Sequence, residues 1–225
     1  MGINKAKHFG TPLGDAVFSG PDRWLAVRVA PDIADMTPRT RITSVAYSHR
    51  VGTVDSASGG TITTKVSVGP GHTNTGTQAF AAGESNTVIG AYSSASGGTF
   101  NTAGAYGAHI GGGAANQATG LLSTVGGGSN NEAAGSWSAV AGGQNNWTYG
   151  QFAFVGGGGV NRADGDSAAI LGGADNRAGG RLSTVGGGWS GVANGEYSTV
   201  AGGNDNVTSA DYGTIGGGGN NRASG

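Results

Sequence analysis

Four histidines are the residues of this 225-residue chain best suited to ligate a metal or to transfer a proton. None has a histidine partner at helical spacing, and none stands in a group with carboxylates, as a metal centre requires. Cysteine is absent, which excludes thiolate metal sites and disulfides. We therefore expect no metal and no cofactor. The histidines are His8, His49, His72 and His109.

Acidic residues are a second possible source of chemistry. Asp164 and Asp166 lie close in sequence, and paired carboxylates cleave glycans when they share one face. Each is equally explained as a polar turn residue. Asp175, Asp205 and Asp211 are scattered, unlike the regular aspartates of calcium-binding rolls.

Two further catalytic signatures are missing from the sequence. No Gly-Lys-Ser/Thr follows the glycine runs, so they do not predict a phosphate-binding loop. No Gly-x-Ser-x-Gly nucleophile elbow stands out either. We expect a protein that is not an enzyme, and a glycan-degrading enzyme is the alternative left open.

Three aromatic residues are better candidates for binding. Trp147, Tyr149 and Trp189 stand where related segments of the chain carry small or polar residues, and flat aromatic faces suit sugar rings. We interpret them as candidate contacts to a receptor or host-surface glycan; the alternative is packing between subunits. Three arginines at matching positions predict a solvated row: Arg162, Arg177 and Arg222.

The elements that position these residues must suit an unusual composition. Glycine supplies 49 residues, and only 11% of the chain is charged. Because glycine costs about 1 kcal/mol per helix-interior position relative to alanine, long helices are excluded from most of the chain. The net charge of −1 gives no reason to expect nucleic acid. No stretch approaches the ~20 apolar residues of a membrane span, and the first residues lack the apolar run of a secretion signal.

The composition changes near residue 65. All five prolines lie in the first 70 residues and all three lysines in the first 65, whereas most glycines follow. Alternating apolar residues at Leu25, Val27 and Val29 predict a strand. We predict a small β domain over residues 1–65, a connector over 66–77 and a repeat region over 78–225.

The repeat region divides into ten units on a fifteen-residue period, counted from Gln78 without insertion or deletion, and the tenth unit, from Gly213, has thirteen residues. The third position is apolar. The sixth is glycine in every unit, and the ninth is asparagine in all but one, where Gly191 stands. The sixth-position glycines are Gly83, Gly98, Gly113, Gly128, Gly143, Gly158, Gly173, Gly188, Gly203 and Gly218. The ninth-position asparagines are Asn86, Asn101, Asn116, Asn131, Asn146, Asn161, Asn176, Asn206 and Asn221.

Units this short cannot bury an apolar face alone, so each must stack on its neighbours. We predict a parallel β-solenoid in which each unit is one coil, with strands about 4.8 Å apart and a rod about 48 Å long. The glycines are expected where a turn needs positive φ or a side chain would clash. The asparagines are expected to adopt the left-handed conformation and to stack as an amide ladder.

Large apolar residues recur at the fifteenth position and would form one stripe along the rod. Such a stripe exceeds the usual exposed patch of a monomer, so we expect it to be buried between subunits. Small residues are expected to let one face approach another backbone: Ala133, Ala163, Ala178 and Ala193. The stripe residues are Tyr92, Leu122, Trp137, Phe152, Leu182, Tyr197 and Tyr212.

The unit pattern V-x-G-G-x-x-N-x-A-x-G-x-x-S, seen in residues 125–138, resembles the head repeat of YadA-like trimeric adhesins. Glycine-rich relatives of that repeat occur in phage tail-fibre and spike proteins. The resemblance covers residues 78–225 and implies a left-handed parallel β-roll in a homotrimer. The period here is longer than that of the usual adhesin head repeat, and no coiled-coil heptads accompany it.

These features together predict a structural fibre or adhesin of a phage virion. Residues 1–65 would attach it to a tail or capsid protein, and the roll would project from the particle towards the host surface. The head of a bacterial trimeric adhesin, at the cell surface, is the alternative.

Overall fold

The computed structural model describes residues 64–225 and, nearer the N terminus, strands β1 (Arg23–Leu25) and β2 (Thr40–Ile42). These two strands pair antiparallel, with Trp24 opposite Arg41. The other residues before 64 lie outside the described part, and with them most of the predicted N-terminal domain.

Residues 66–225 form two parallel sheets of eleven short strands each, which we call the odd sheet and the even sheet. The odd sheet holds β3 (Val66–Val68), β5 (Phe80–Ala82), β7 (Ser94–Ala95), β9 (His109–Ile110), β11 (Thr124–Val125), β13 (Ala139–Val140), β15 (Phe154–Val155), β17 (Ala169–Ile170), β19 (Thr184–Val185), β21 (Thr199–Val200) and β23 (Thr214–Ile215). The even sheet holds β4 (Thr73–Asn74), β6 (Thr87–Val88), β8 (Thr102–Ala103), β10 (Gln117–Ala118), β12 (Glu132–Ala133), β14 (Trp147–Thr148), β16 (Arg162–Ala163), β18 (Arg177–Ala178), β20 (Val192–Ala193), β22 (Val207–Thr208) and β24 (Arg222–Ala223).

Each coil of the chain adds one strand to each sheet. Along most of the solenoid the paired residues are fifteen apart in sequence, as Thr124 opposite Ala139 and Glu132 opposite Trp147. No helix occurs within residues 64–225. The predicted all-β architecture, a parallel β-solenoid of fifteen-residue coils, is confirmed for this part of the chain.

The first coils of the solenoid are one residue shorter than the others. Val66 pairs with Phe80, and Phe80 pairs with Ser94, so both steps span fourteen residues. The shorter step places Ala81 inside, fully buried, and leaves Phe80 37% exposed. The expected apolar third position is therefore shifted by one residue in the unit that begins at Gln78. Residues 66–77, expected to be a connector, carry β3 and β4, which pair with β5 and β6 and add a further coil.

The interior between the two sheets is thin and filled by small side chains. Because successive strand residues point to opposite faces, the odd sheet turns mostly Val or Ile inward and the even sheet mostly Ala. The expectation that the small alanines let an outer face approach another backbone is wrong, because their side chains lie in this interior. They let the two sheets of one coil pack closely together instead. These alanines, all at 0% exposure, are Ala133, Ala163, Ala178 and Ala193.

The sixth-position glycines occupy the turn that follows each odd strand. All ten have positive φ, between 75° and 101°. A Cβ atom built on Gly143 would lie 2.2 Å from the carbonyl oxygen of Gly158 in the next coil. Both predicted reasons for glycine, backbone conformation and close approach, are confirmed at this position.

The ninth-position asparagines form a buried ladder along the rod. The backbone N–H of Asn131 donates to Oδ1 of Asn116 in the preceding coil at 3.0 Å. Its own Nδ2 donates to the carbonyl oxygens of Gly127 and Gly143, each at 2.9 Å. One amide thus satisfies a donor of the next coil and two turn carbonyls, which only a side chain with both acceptor and donor groups can do. The predicted ladder is confirmed.

The left-handed conformation lies one residue earlier than expected. None of the ladder asparagines has positive φ, whereas the eighth-position residues do, among them Asn145 at 53° and Val160 at 61°. The chain must turn there so that the following asparagine points inward. The residues at the fifteenth position also have positive φ, as Trp137 does at 55°. They lie in the second turn of each coil.

Candidate binding surface

The outer face of the even sheet carries the largest departure from the repeat. The tenth and twelfth positions of each unit point outward on this face, and in half of the units they hold neither a charged nor an aromatic residue, as at Thr102 and Ser209. Four successive coils differ and bring large aromatic and charged side chains together. We call this group the aromatic–arginine patch; it consists of Glu132, Trp147, Tyr149, Arg162, Asp164 and Arg177.

Aromatic side chains form the middle of the patch. Trp147 is half-buried between Glu132 and Arg162, its register partners on the neighbouring strands. Tyr149 follows two residues later on the same side and is 42% exposed. Its hydroxyl donates to Oε2 of Glu132 at 3.4 Å, and the guanidinium carbon of Arg162 lies 5.1 Å from its ring centroid. Burial and the nearby Glu132 charge raise the pKa of Tyr149 above its ordinary value.

Asp164 holds two arginines side by side. Arg162 Nε donates to Oδ1 of Asp164 at 2.6 Å, and Arg177 Nε donates to Oδ2 at 2.8 Å. The aspartate side chain is 16% exposed, whereas the arginines are 53% and 51% exposed. The hydrogen bond to Asp164 and its charge raise the pKa of Arg162 further above its ordinary value. Within residues 64–225, the terminal guanidinium nitrogens of these two arginines have no hydrogen-bond acceptor.

The structure separates the three candidate binding aromatics into two places. Trp147 and Tyr149 share the patch, whereas Trp189 lies on the turn after an odd strand, bridging Ala174 and Asn204. Trp189 is 57% exposed. It therefore does not extend the surface formed by the other two.

The expected arginine row is interrupted. Arg162 and Arg177 are neighbours on β16 and β18. Val192 and Val207 occupy the next two coils, so Arg222 stands alone on β24. Only the first two arginines belong to the patch.

The stripe of fifteenth-position residues follows one corner of the solenoid. Its side chains are between 37% and 73% exposed on the single chain. Trp137 stacks on Phe152 at 5.2 Å, and Tyr197 stacks on Tyr212 at 5.0 Å between ring centroids. Ser167 interrupts the series. Its burial between subunits stays a prediction.

The aspartates and histidines considered for catalysis form hydrogen bonds within the solenoid. Asp164 binds the two arginines, and Oδ1 of Asp166 accepts the backbone N–H of Gln151 at 2.8 Å. His72 occupies the position before Asn86 in the asparagine ladder, one coil earlier. The backbone N–H of Asn86 donates to Nδ1 of His72 at 3.2 Å. His109 Nδ1 lies 2.7 Å from the Ser94 hydroxyl. His8 and His49 lie outside the described residues.

Among the residues that the structure describes, no group of three or more histidines and acids is placed to hold a metal ion, and no helix is long and apolar enough to cross a membrane. A scan against protein-family models finds no match, and a search of curated proteins finds none either.

Sequence reasoning missed Glu132 and Asp164 as partners of the aromatic and arginine residues. The signal was nevertheless present. In a strict repeat, residues at equal unit positions become neighbours, so aligning the tenth and twelfth positions of adjacent units places Asp164 beside both arginines.

Proposed function

We propose that this chain is a structural, non-enzymatic fibre of a phage virion. Residues 1–65 attach it to a tail or capsid protein, and the β-solenoid projects towards the host surface as spacer and adhesin. One observation carries the proposal: eleven coils stack without interruption, giving a rod about 50 Å long. Interchain hydrogen bonds are not needed along its length, because each strand pairs with the coils before and after it.

The proposal includes a homotrimer like that of the adhesin heads. Support comes from the corner stripe, which exposes stacked aromatic pairs and leucines on the single chain. Contiguous apolar surface of this kind marks protein contacts. Three chains that bring their stripes together would bury it and would reinforce coils that are individually weak.

Sedimentation equilibrium tests the assembly. A homotrimer has a mass of about 65 kDa, three times the 21.8 kDa of one chain, whereas a monodisperse species of about 22 kDa contradicts it. Exchanging Trp137 and Phe152 for serine, the residue at position 167 in the same corner, is expected to shift the trimer towards monomer. The Trp189→Ala variant, which changes an aromatic residue away from the corner, is the control.

Antibodies raised against residues 64–225 test the location. Labelling of phage particles in electron micrographs is the expected result. Labelling of uninfected bacterial cells without labelling of particles would instead favour the alternative, a bacterial trimeric adhesin.

A glycan-degrading tailspike is the second alternative. The bonds of Asp164 argue against it, since both of its carboxylate oxygens accept from arginines, and Oδ1 of the neighbouring Asp166 accepts from a backbone amide. Release of reducing sugar from host polysaccharide by the purified chain, lost in Asp166→Asn, would establish that activity and overturn the non-enzymatic proposal.

A further inference from the structure

We propose that the aromatic–arginine patch binds an acidic saccharide, with a sugar carboxylate held by Arg162 and Arg177. This inference rests on the proposed function, since it names the ligand class of an adhesive rod. It extends the candidate contacts Trp147 and Tyr149 with four charged residues that the fold brings beside them.

The arginine pair supplies the site for the carboxylate. Asp164 uses each of its carboxylate oxygens on the Nε of one arginine. A guanidinium has five N–H donors, so each arginine retains four on its terminal nitrogens. The two side chains stand on adjacent parallel strands, about 4.8 Å apart, and can contact one anionic group together. Arginine is suited to planar carboxylates because its donors form a rigid fork.

Asp164 holds the two arginines in a defined orientation, which distinguishes them from two independent surface cations. It fixes both guanidinium groups by charge-assisted hydrogen bonds, and it is itself largely covered. Two positive charges against one negative charge leave a local excess of one positive charge at this end of the patch. A carboxylate ligand would therefore meet groups that are already oriented, which lowers the entropy lost on binding.

The aromatic centre and the acidic end suit the rest of a sugar chain. Tyr149 presents an exposed ring, because its neighbour one coil earlier is the small Ala134. Such a ring offers a flat apolar face beside a polar edge, which matches the C–H face and hydroxyls of a sugar. Glu132 can accept hydroxyl protons at the far end. The patch covers four coils, about 14 Å along the rod, which is longer than a single sugar ring.

The charge pattern distinguishes this ligand from other anions. Nucleic acid is disfavoured because Glu132 and Asp164 lie within the same patch and the chain has a net charge of −1. An acidic peptide would use the arginines but would gain little from a flat exposed aromatic face. A carboxylated saccharide uses both.

Isothermal titration calorimetry with the full chain tests the proposal. The probes are an oligogalacturonate, an uncharged maltoheptaose and an oligoglutamate peptide. We expect saturable binding of the oligogalacturonate that weakens as salt is raised, and binding at least about tenfold weaker for the other two. No saturable oligogalacturonate binding, or equal binding of the peptide, overturns the proposal.

Matched variants locate the site. Arg177→Gln and Trp147→Thr are each expected to weaken oligogalacturonate binding about tenfold or more, the effect of losing a charged hydrogen bond or a central aromatic contact. Threonine already stands at the tenth position in β6 and β8, so the second variant keeps the fold, which an unchanged thermal midpoint verifies.

Two controls carry the same residue types outside the patch. Arg222→Gln changes an arginine at the same coil position, and Trp189→Ala changes an exposed tryptophan on the other turn. Both are expected to bind as the unaltered chain does, and an equal loss in them overturns the assignment. A trimer that labels on phage particles but binds no oligogalacturonate would refute the saccharide site alone and leave the fibre proposal standing.

Discussion

Two adjacent glycines in one turn are predicted to respond in opposite ways to the same small change. Gly143→Ala introduces a Cβ atom 2.2 Å from the Gly158 carbonyl oxygen and 2.7 Å from Asn146 Nδ2, at a residue whose φ is +87°. Gly142→Ala introduces a Cβ atom with no heavy atom within 4 Å. Both variants add one methyl group to the same coil.

The cost at Gly143 follows from the contacts that must give way. An L-residue in the left-handed region costs roughly 1–2 kcal/mol. Relieving the clash also separates two coils and weakens the bonds Gln144 N–H to Gly158 O and Asn131 Nδ2 to Gly143 O, both 2.9 Å long. Each such bond contributes about 1 kcal/mol. We therefore expect Gly143→Ala to lower the free energy of unfolding by about 3–4 kcal/mol, a large fraction of ordinary domain stability.

Urea unfolding followed by far-ultraviolet circular dichroism measures the difference. Gly142→Ala should change the free energy of unfolding by less than about 1 kcal/mol and in the stabilising direction, because alanine restricts the unfolded chain. The same pair of changes at Gly202 and Gly203, where the geometry is equivalent, serves as a replicate in another coil. Equal effects at the two neighbouring glycines would refute the reasoning about the sixth position.

Two further substitutions, which introduce the asparagine found at the same position of other units, are predicted to raise the thermal midpoint, and a pair of serine substitutions is predicted to differ in effect. Gly191→Asn should raise the free energy of unfolding by about 1 kcal/mol, because the amide acceptor that it supplies for the Asn206 N–H outweighs the crowding of a Cβ atom 3.0 Å from Asn176 Oδ1; an unchanged or lower midpoint would contradict this. Val160→Asn should raise the free energy of unfolding by about 1 kcal/mol, since Val160 has a φ of 61° that asparagine tolerates better. A lower thermal midpoint would contradict this. Ser183→Ala should be neutral or stabilising because its buried hydroxyl has no partner, whereas Ser138→Ala should destabilise, since the Ser138 hydroxyl accepts a bond from Thr148 at 2.9 Å.

The repeat made most of the solenoid predictable. Once the period was known, residues fifteen apart had to be neighbours, and the inward third position and the sixth-position glycines followed from that translation. The ladder followed as well, because a buried asparagine repeated in every coil finds its partner one period away. These predictions needed no knowledge of how the two sheets face each other.

The features that sequence reasoning misplaced depend on the path of the chain within one coil. The turn residue of positive φ is the eighth, not the ninth, because the asparagine must point into the core. The interior alanines could equally have lined an outer face until the second sheet was known to lie opposite them. The fourteen-residue step near Phe80 was hidden because an apolar residue also stands at the unshifted third position.

The aromatic–arginine patch was likewise predictable only in part. Trp147 and Tyr149 were recognisable as exceptions to the repeat, but Trp189 was an equal exception and lies elsewhere. Trp147 and Tyr149 lie on the even-sheet side of the coil, whereas Trp189 lies on the turn after an odd strand. The spacing alone did not assign these sides. The sequence suggests a catalytic carboxylate or a polar turn residue for Asp164, whereas the structure shows that it binds two arginines.

The stacking register is tested most directly by disulfide formation in a chain that has no cysteine of its own. Thr184 and Thr199 are register partners on adjacent strands, and neighbouring parallel strands lie about 4.8 Å apart, within the Cα separation that a disulfide accepts. The account predicts that the double variant Thr184→Cys/Thr199→Cys oxidises to an intrachain disulfide, whereas Thr184→Cys/Thr214→Cys, two coils apart, retains free thiols. Free thiols in the first variant, or equal closure in both, measured by mass spectrometry of the denatured chains, would contradict the stacked solenoid.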